Sequence, residues 1–213
     1  MTANDRMIRD AVTPVLENVG FKKRADLIYT IDLAEGAIGR VGLNNTSEHC
    51  PRGEVEVNPV VGVRHQEVER LVAELSGEKF HAYLPSTIST PIGYVMPEAR
   101  YLKWIFNAGC AEAEAADMAV AIEEYGLAFM RAHTDLKDIC RALEPRSGFM
   151  IEWLAIYRRP VAWYVAGDMS RASGELDKAL ADVGDRDDPA ADEFREFAAA
   201  FRARLAQEAE TEH

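Results

Sequence analysis

The residue types that could do chemistry are few in this chain and stand far apart. The 213 residues include five histidines and three cysteines. His49 and Cys50 are adjacent, but a metal site would need two more ligands from elsewhere. There is no CxxC pair, and nothing in the sequence selects Cys110 or Cys140 as a nucleophile with a base and an orienting group. We therefore predict no metal site, no cofactor and no recognisable catalytic residue.

The common catalytic motifs are missing as well. The sequence contains no GxxxxGK[ST], GxGxxG, HExxH or GxSxG. Glu123 and Glu124 point to different sides of a predicted helix, so they cannot form a close acid–base dyad by themselves. The aspartates 185, 187 and 188 precede Pro189 at a predicted helix start, where negative charge complements the helix dipole. These observations favour a protein that is not an enzyme.

The aromatic residues allow an alternative hypothesis, in which the protein binds a small ligand in a pocket. Arg64 and His65 stand where a predicted strand ends and a helix begins, a position that can present polar groups to a pocket. A pocket between sheet and helices would combine them with aromatic side chains, namely Tyr94, Trp104, Trp153 and Tyr157. Positions 149, 153, 156, 160 and 163 form a stripe at helical spacing, which is either a packing seam or an exposed groove for a partner.

The charge of the chain limits its partners. The formal net charge is −12, and the one tight basic run, residues 22–24, is followed at once by Asp26. Nucleic-acid binding needs clustered lysines and arginines, so it is not expected. Residues 168–213 hold 13 acidic and 6 basic side chains. This acidic end is either a solvated face or a surface for a basic partner protein.

Cysteine use and hydropathy give an expected compartment. Unpaired cysteines are typical of a reducing cytoplasm. The chain begins without a basic segment followed by an apolar core, so we expect no secretory signal. No apolar run approaches the roughly 20 residues of a membrane span. We expect a cytoplasmic protein without membrane attachment.

Residues 2–106 read as an α+β pattern. Apolar residues at helical spacing predict a first helix that ends at Gly20, with Pro14 inside it. Alternating apolar residues predict one strand over 21–32, in which Leu27, Tyr29 and Ile31 share a face. Pro59 within the third strand indicates an edge or a bulge. The remaining predicted elements are strands over 37–43, 55–63 and 101–106, a helix over 65–75 and a β-rich segment over 87–96.

Residues 112–210 read as consecutive helices. The pattern predicts a helix over 112–131 and one over 136–143 that Thr134 caps. A linker follows at 145–148. Further helices are predicted over 149–166, interrupted at Pro160, and over 170–183 and 189–207. The sequence thus divides into an α+β domain, residues 1–144, and a helical segment, residues 149–210, that packs on it as a separate unit or as part of the same domain.

One short segment resembles a known helical repeat. Residues 163–172 are followed by Leu176 and by Ala179-Leu180, and small residues at 172 and 179 allow two helices to approach closely. This is similar to the inner part of a tetratricopeptide-type hairpin. Pro160 departs from that pattern and no second repeat is visible, so the resemblance implies a single αα-hairpin.

A second resemblance covers residues 3–144. A leading helix ends in Gly20-Phe21-Lys22-Lys23, two strands follow, and a long helix ends in Glu124-Tyr125-Gly126-Leu127. This order is similar to a group of bacterial α+β proteins, some of which resemble immunity proteins of toxin systems. The loop over residues 44–53 does not match the group. The resemblance implies a small cytoplasmic binding protein and assigns no functional residues.

Together these observations predict a small, mostly antiparallel sheet with helices on one face, followed by a C-terminal helical segment. The leading function hypothesis is a non-enzymatic protein that binds a basic partner, in the manner of an immunity or defence-associated protein. A small-ligand binder or enzyme and a homo-oligomeric scaffold joined through the C-terminal helices are the alternatives.

Overall fold

The computed structural model describes residues 2–34, 36–144 and 152–211. In chain order the elements are α1 (Ala3–Asn18), β1 (Lys22–Ala25), β2 (Ile28–Asp32), β3 (Ala37–Thr46), β4 (Val55–His65), α2 (Gln66–Leu75), β5 (Ile88–Pro91), a 3₁₀ turn (Ile92–Tyr94), β6 (Trp104–Phe106), α3 (Ala111–Ala121), a π-helical turn (Ile122–Gly126), α4 (Leu127–Ala132), α5 (Leu136–Ala142), α6 (Glu152–Val165), α7 (Met169–Val183) and α8 (Pro189–Thr211).

All pairings in the sheet are antiparallel. The strands follow the order β1-β2-β3-β4-β5, and β6 pairs with the first part of β4. The inner face carries fully buried apolar side chains such as Tyr29, Val41 and Val61. α1, α3 and α4 cover this face; the hydroxyls of Thr13 and Tyr29 lie 3.0 Å apart. The predicted α+β class, with helices on one face and a helical segment after it, is confirmed.

The prediction of one strand over residues 21–32 is wrong. This segment is a hairpin in which β1 and β2 are joined at Asp26 and Leu27. Asp26 has a φ of 38°, a left-handed conformation that aspartate tolerates better than most residues. The alternation of apolar residues continues across the turn, so periodicity alone did not reveal it. Tyr29 and Ile31 do share the inner face.

Pro59 lies in the central strand and not at an edge or a bulge. It pairs with Leu43 of β3, whose own N–H donates to Leu27 on the other side. The ring nitrogen of Pro59 therefore points away from β3. On that side β6 pairs only with residues 55–57 and β5 only with residues 60–63, so the missing N–H falls in a gap between two partner strands.

Two helix predictions also need correction. Pro160 lies inside α6 and does not interrupt it, because the helix buries apolar side chains on both sides of the proline, such as Ala155 and Val161. The residue that caps α5 is Asp135, whose carboxylate accepts from the N–H of Lys137, and not Thr134. The predicted linker, residues 145–148, lies outside the described residues.

The C-terminal helices form one packed layer. α6 and α7 form a hairpin that turns at Gly167, which has a φ of +82°, and the small Ala172 and Ala179 are buried between the helices. α6 also contacts α2 and α5, and α8 packs on α7 and α2. A row of phenylalanines on α8 meets tyrosines of α6; the rings are Phe194, Phe197, Phe201, Tyr157 and Tyr164.

A buried ionic network joins the sheet to this layer. Arg158 of α6 makes two hydrogen bonds to Glu69 of α2, with Nε–Oε1 2.8 Å and Nη2–Oε2 2.9 Å. Arg64, at the end of β4, lies 3.5 Å from the same carboxylate. All three side chains are at least 95% buried. Arg64 also donates to the carbonyl of Pro85 at 2.6 Å and to that of His81. Burial lowers the pKa of Arg64 to about 10.

We predict that Glu69→Gln lowers the free energy of unfolding by about 3–5 kcal/mol, because it leaves two buried guanidinium groups without their counter-ion. Chemical denaturation followed by circular dichroism measures this change. Glu67→Gln on the same helix is the matched control; Glu67 is exposed, and its change should stay within about 1 kcal/mol. An equal loss of unfolding free energy in the two variants would contradict the role of Glu69 as the counter-ion of Arg64 and Arg158.

Candidate functional site

The polar residues suggested for a pocket between sheet and helices are engaged in structural contacts. Arg64 is 1% exposed and belongs to the ionic network. His65 is 5% exposed, and its N–H donates to the hydroxyl of Thr87 at 2.9 Å. Both lie at the junction of β4 and α2, but the register places their side chains on opposite faces of the sheet.

The suggested aromatic residues lie in separate surroundings. Trp104 is buried and donates from Nε1 to Asp117 of α3 at 2.8 Å. Tyr157 meets the α8 rings described above. Tyr94 is 52% exposed on the 3₁₀ turn, and Trp153 is 63% exposed on α6. The structure connects Arg64 to α6 through Glu69.

Within the predicted stripe, Phe149 lies outside the described residues, Pro160 is buried and Trp153 faces solvent.

A different surface combines exposed aromatic, apolar and acidic side chains. The 3₁₀ turn packs against the π-helical turn, which places Tyr94 beside the end of α3. Glycines permit both close approaches. A Cβ on Gly93 would lie 2.1 Å from the carbonyl oxygen of Arg100, and one on Gly126 would lie 3.1 Å from a methyl group of Val61. Gly93 thus packs the 3₁₀ turn against the loop at residues 100–102, and Gly126 packs the π-helical turn against the sheet.

The carboxylates of this surface come from two segments of the chain. The Glu124 carboxylate accepts from the phenol of Tyr125 and, with the nearby charge of Glu98, raises the pKa of that phenol; partial desolvation adds to the shift. Glu123, Glu124 and Glu98 are all exposed. Val120, 60% exposed, lies one helical turn before the two adjacent glutamates. We call Tyr94, Glu98, Val120, Glu123 and Glu124 the acidic face.

The helical part of the acidic face lacks a basic neighbour in the sequence, whereas Glu98 shares a small cleft with Arg100. Between Lys103 and Arg131 the chain has five carboxylates and no lysine, arginine or histidine. Among the described residues, none of the three acidic-face glutamates is ion-paired. On the C-terminal helices many carboxylates are locally neutralised, for example Asp177 by Arg202 and Asp192 by Arg195, both at 2.7 Å. The negative potential of the acidic face is thus less screened than theirs.

Backbone strain occurs next to this surface. Ala99 has a φ of 46°, a conformation that costs an L-residue with a Cβ roughly 1–2 kcal/mol. Its N–H donates to the carbonyl of Met96 at 3.0 Å, and the N–H of Arg100 donates to Gly93 at 3.1 Å. These bonds fix the loop that carries Glu98. Strained residues and π-helical turns are both frequent at functional sites.

Sequence reasoning named Tyr94 for a pocket elsewhere and considered Glu123 and Glu124 only as an acid–base pair, so it did not predict the acidic face. The run of five carboxylates without a basic residue was a visible signal in α3 and the π-helical turn. The position of Glu98 beside them depends on tertiary packing between segments about 25 residues apart, which periodicity does not report.

The thiols do not suggest nucleophilic chemistry. The three cysteines are free. Cys140 is fully buried, and burial raises the pKa of its thiol to about 12. The Sγ of Cys110 donates to the carbonyl of Ile105 at 3.2 Å. Within the described ranges, no three His, Cys, Asp or Glu side chains come together as a possible metal site.

Comparison of the chain with protein-family models, with curated proteins and with solved structures gave no significant match. In the part of the chain that the structure describes, no helix is both long and apolar enough to cross a membrane.

We predict that Ala99→Gly raises the free energy of unfolding by up to about 1 kcal/mol, because glycine relieves the left-handed strain at some cost in chain entropy. Ala116→Gly, the same change at an exposed position of α3, should instead lower it by about 1 kcal/mol. Thermal and denaturant unfolding of the two variants measure both signs. A destabilised Ala99→Gly variant would refute the claim of strain.

We also predict that Cys140 in the folded protein resists iodoacetamide at pH 8, because the thiolate is the reactive species and a raised pKa reduces its population. Peptide mass spectrometry should find Cys50, which is partly exposed, alkylated first. Unfolding in guanidinium chloride should make Cys140 reactive. Equal labelling of both thiols in the native protein would contradict the burial of Cys140.

Proposed function

We propose that this chain is a non-enzymatic, cytoplasmic protein-binding module whose acidic face docks on a basic partner protein. The observation that carries the proposal is the combination of unpaired carboxylates with an exposed tyrosine and valine on one firmly held surface. Carboxylates at the rim of an interface steer a cationic partner, and an aromatic side chain supplies buried contact area.

The composition of the acidic face supports a protein partner over a polyanion or a membrane. Like charges would repel the phosphates of a nucleic acid or of anionic lipids. A basic protein surface offers lysines and arginines for Glu98, Glu123 and Glu124, and Val120 and Tyr94 give it an apolar contact. Rigid support from Gly93 and Gly126 limits the conformational cost of binding.

The concrete form that we favour is an immunity-type protein, which occupies the basic substrate-binding surface of a toxin enzyme. Such a role needs a stable, charged surface and no chemistry of its own. The free cysteines and the resemblance of residues 3–144 to immunity-like proteins support this form and a cytoplasmic setting.

The test compares two variants that remove the same amount of charge. One is the triple substitution Glu98→Gln, Glu123→Gln and Glu124→Gln on the acidic face. The other, Asp185→Asn, Asp187→Asn and Glu193→Gln, neutralises three exposed carboxylates around the α7–α8 connection. Each protein is used at low and high salt to capture interacting proteins from the native host, and captured proteins are quantified by mass spectrometry.

We expect one stoichiometric basic protein with the wild type and with the α7–α8 variant. Its affinity, measured with the purified partner, should fall about tenfold or more for the acidic-face variant and in high salt. Tyr94→Ala should leave the association rate nearly unchanged and raise the dissociation rate. Retained affinity in the acidic-face variant, or equal loss in both charge variants, would refute the role of this surface. Absence of any stoichiometric partner would refute the protein-binding proposal itself.

A further inference from the structure

The outer face of the sheet, opposite α1, α3 and α4, carries a second polar site. In the register, Thr30 of β2, Arg40 of β3 and Gly62 of β4 form one row on this face. Thr30 is fully buried and accepts from Nε of Arg24 at 2.8 Å. The guanidinium of Arg24 in turn stacks on the ring of Tyr83, 4.4 Å from its centroid. At this end of the row, the hydroxyl of Thr30 and the guanidinium of Arg24 therefore have partners.

Arg40 does not turn toward Thr30 but runs along its own strand. A Cβ on Gly42 would lie 3.0 Å from Nη2 of Arg40, 3.3 Å from Cζ and 3.4 Å from Nη1. These similar distances show the guanidinium lying flat over the backbone of Gly42. Any larger residue at position 42 would displace it. The sequence Arg40-Val41-Gly42 thus aims the positive charge toward Asn44, two residues further on the same face.

The guanidinium of Arg40 meets no hydrogen-bond acceptor in the part of the chain that the structure describes. Its Nε is buried and lacks a hydrogen-bond partner among the described residues, and no carboxylate of those residues lies within ion-pair distance of it. Burial lowers the pKa of Arg40, which reflects the cost of desolvating this charge. The unsatisfied Nε costs roughly 1–3 kcal/mol. Arg40 as a whole is only partly buried and lines the cleft described next, so its terminal nitrogens are the donors that a ligand could reach.

Arg40 lines a cleft of about 380 Å³. This volume falls within the usual range of small-molecule sites. Gly42, Ile28, Asn44 and Asp26 line the same cleft. The cleft also reaches Asn45 and Asp5, but alternation places Asn45 on the opposite face of β3, where its Nδ2 donates to Asp5 at 3.4 Å. The Asp5 carboxylate is engaged, since it accepts from the N–H of Thr2 at 2.7 Å. The carboxylate of Asp26 remains available at the β1–β2 turn.

We propose that this cleft binds a small carboxylate that also bears an ammonium group, a ligand the size and charge of a free amino acid. The carboxylate accepts from the planar guanidinium of Arg40, whose donors match two carboxylate oxygens. The ammonium group donates to Asp26 and to the amide oxygen of Asn44. The two aspartates on the wall disfavour a multiply charged anion such as phosphate. The site is remote from the acidic face in sequence and does not depend on the proposed function.

The test screens the intact protein against each of the 20 proteinogenic amino acids, with acetate and inorganic phosphate as comparators. Binding is read by thermal shift at about 10 mM ligand, since a ligand that binds only the folded state raises Tm by an amount that grows with the logarithm of its concentration relative to Kd. Amide chemical shifts at residues 40–45 locate the ligand. The variants are Arg40→Gln, Arg40→Lys and Asp26→Asn, with Lys22→Gln as control; Lys22 lies exposed on the same face and pairs with Asp32.

We expect at least one amino acid to bind saturably and to shift the amides of residues 40–45, with acetate weaker and phosphate weaker still. Arg40→Gln should weaken that binding about tenfold or more, Arg40→Lys by less, and Lys22→Gln hardly at all. Asparagine tolerates the left-handed backbone at position 26, so Asp26→Asn should fold normally. It should weaken binding of the amino acid but not binding of acetate. No binding by any amino acid, stronger binding of phosphate, or binding unchanged in a folded Arg40→Gln variant would overturn the proposal.

Discussion

The position of the C-terminal helices on the sheet depends on the buried ion pairs that Glu69 makes. One carboxylate, desolvated on α2, neutralises Arg158 from α6 and part of the charge of Arg64 from β4. A bidentate ion pair between fixed donors adds a directional constraint to the apolar packing of the two layers. The remaining donors of Arg64 hold the loop at residues 81–85, so the same network also closes part of the outer face.

The structure separates its stable interior from its two polar surfaces. The acidic face rests on the helical side of the sheet edge, where a 3₁₀ turn and a π-helical turn meet. The Arg40 cleft rests on the outer face, where β3 extends past the β1–β2 turn. Each surface depends on a glycine that permits a close approach, Gly126 in the first case and Gly42 in the second.

The sequence predicted those parts of the fold that depend on local periodicity. The amphipathic α1, with its Thr2 cap, and α2 follow the predicted spacing closely. The predictions failed where tertiary context overrode a local rule. Pro59 is tolerated in the central strand because two partner strands leave a gap beside it, and Pro160 because α6 is buried on several sides.

The candidate sites were less predictable than the fold, for a similar reason. Arg64 and His65 were correctly placed at the end of a strand, but their alternation across the sheet sends them to opposite faces. Glu98 joins the acidic face only through packing of the 3₁₀ turn. Arg40 stands out only because its Nε lacks a hydrogen-bond partner, and such a lack can be seen only in the folded structure.

The π-helical turn at Ile122–Gly126 also sets the phase of the long helix that contains it. A π turn holds about one residue more than an α turn, so α4 is rotated by about 100° from where a regular helix would place it. This rotation lets Val120 and the two glutamates face outward while Leu127 and Met130 face the sheet. The loss of one residue from this turn would rotate the following helix by about 100° and turn buried side chains such as Leu127 away from the sheet. Homologous chains would be expected to vary in length in their loops and to keep this segment constant.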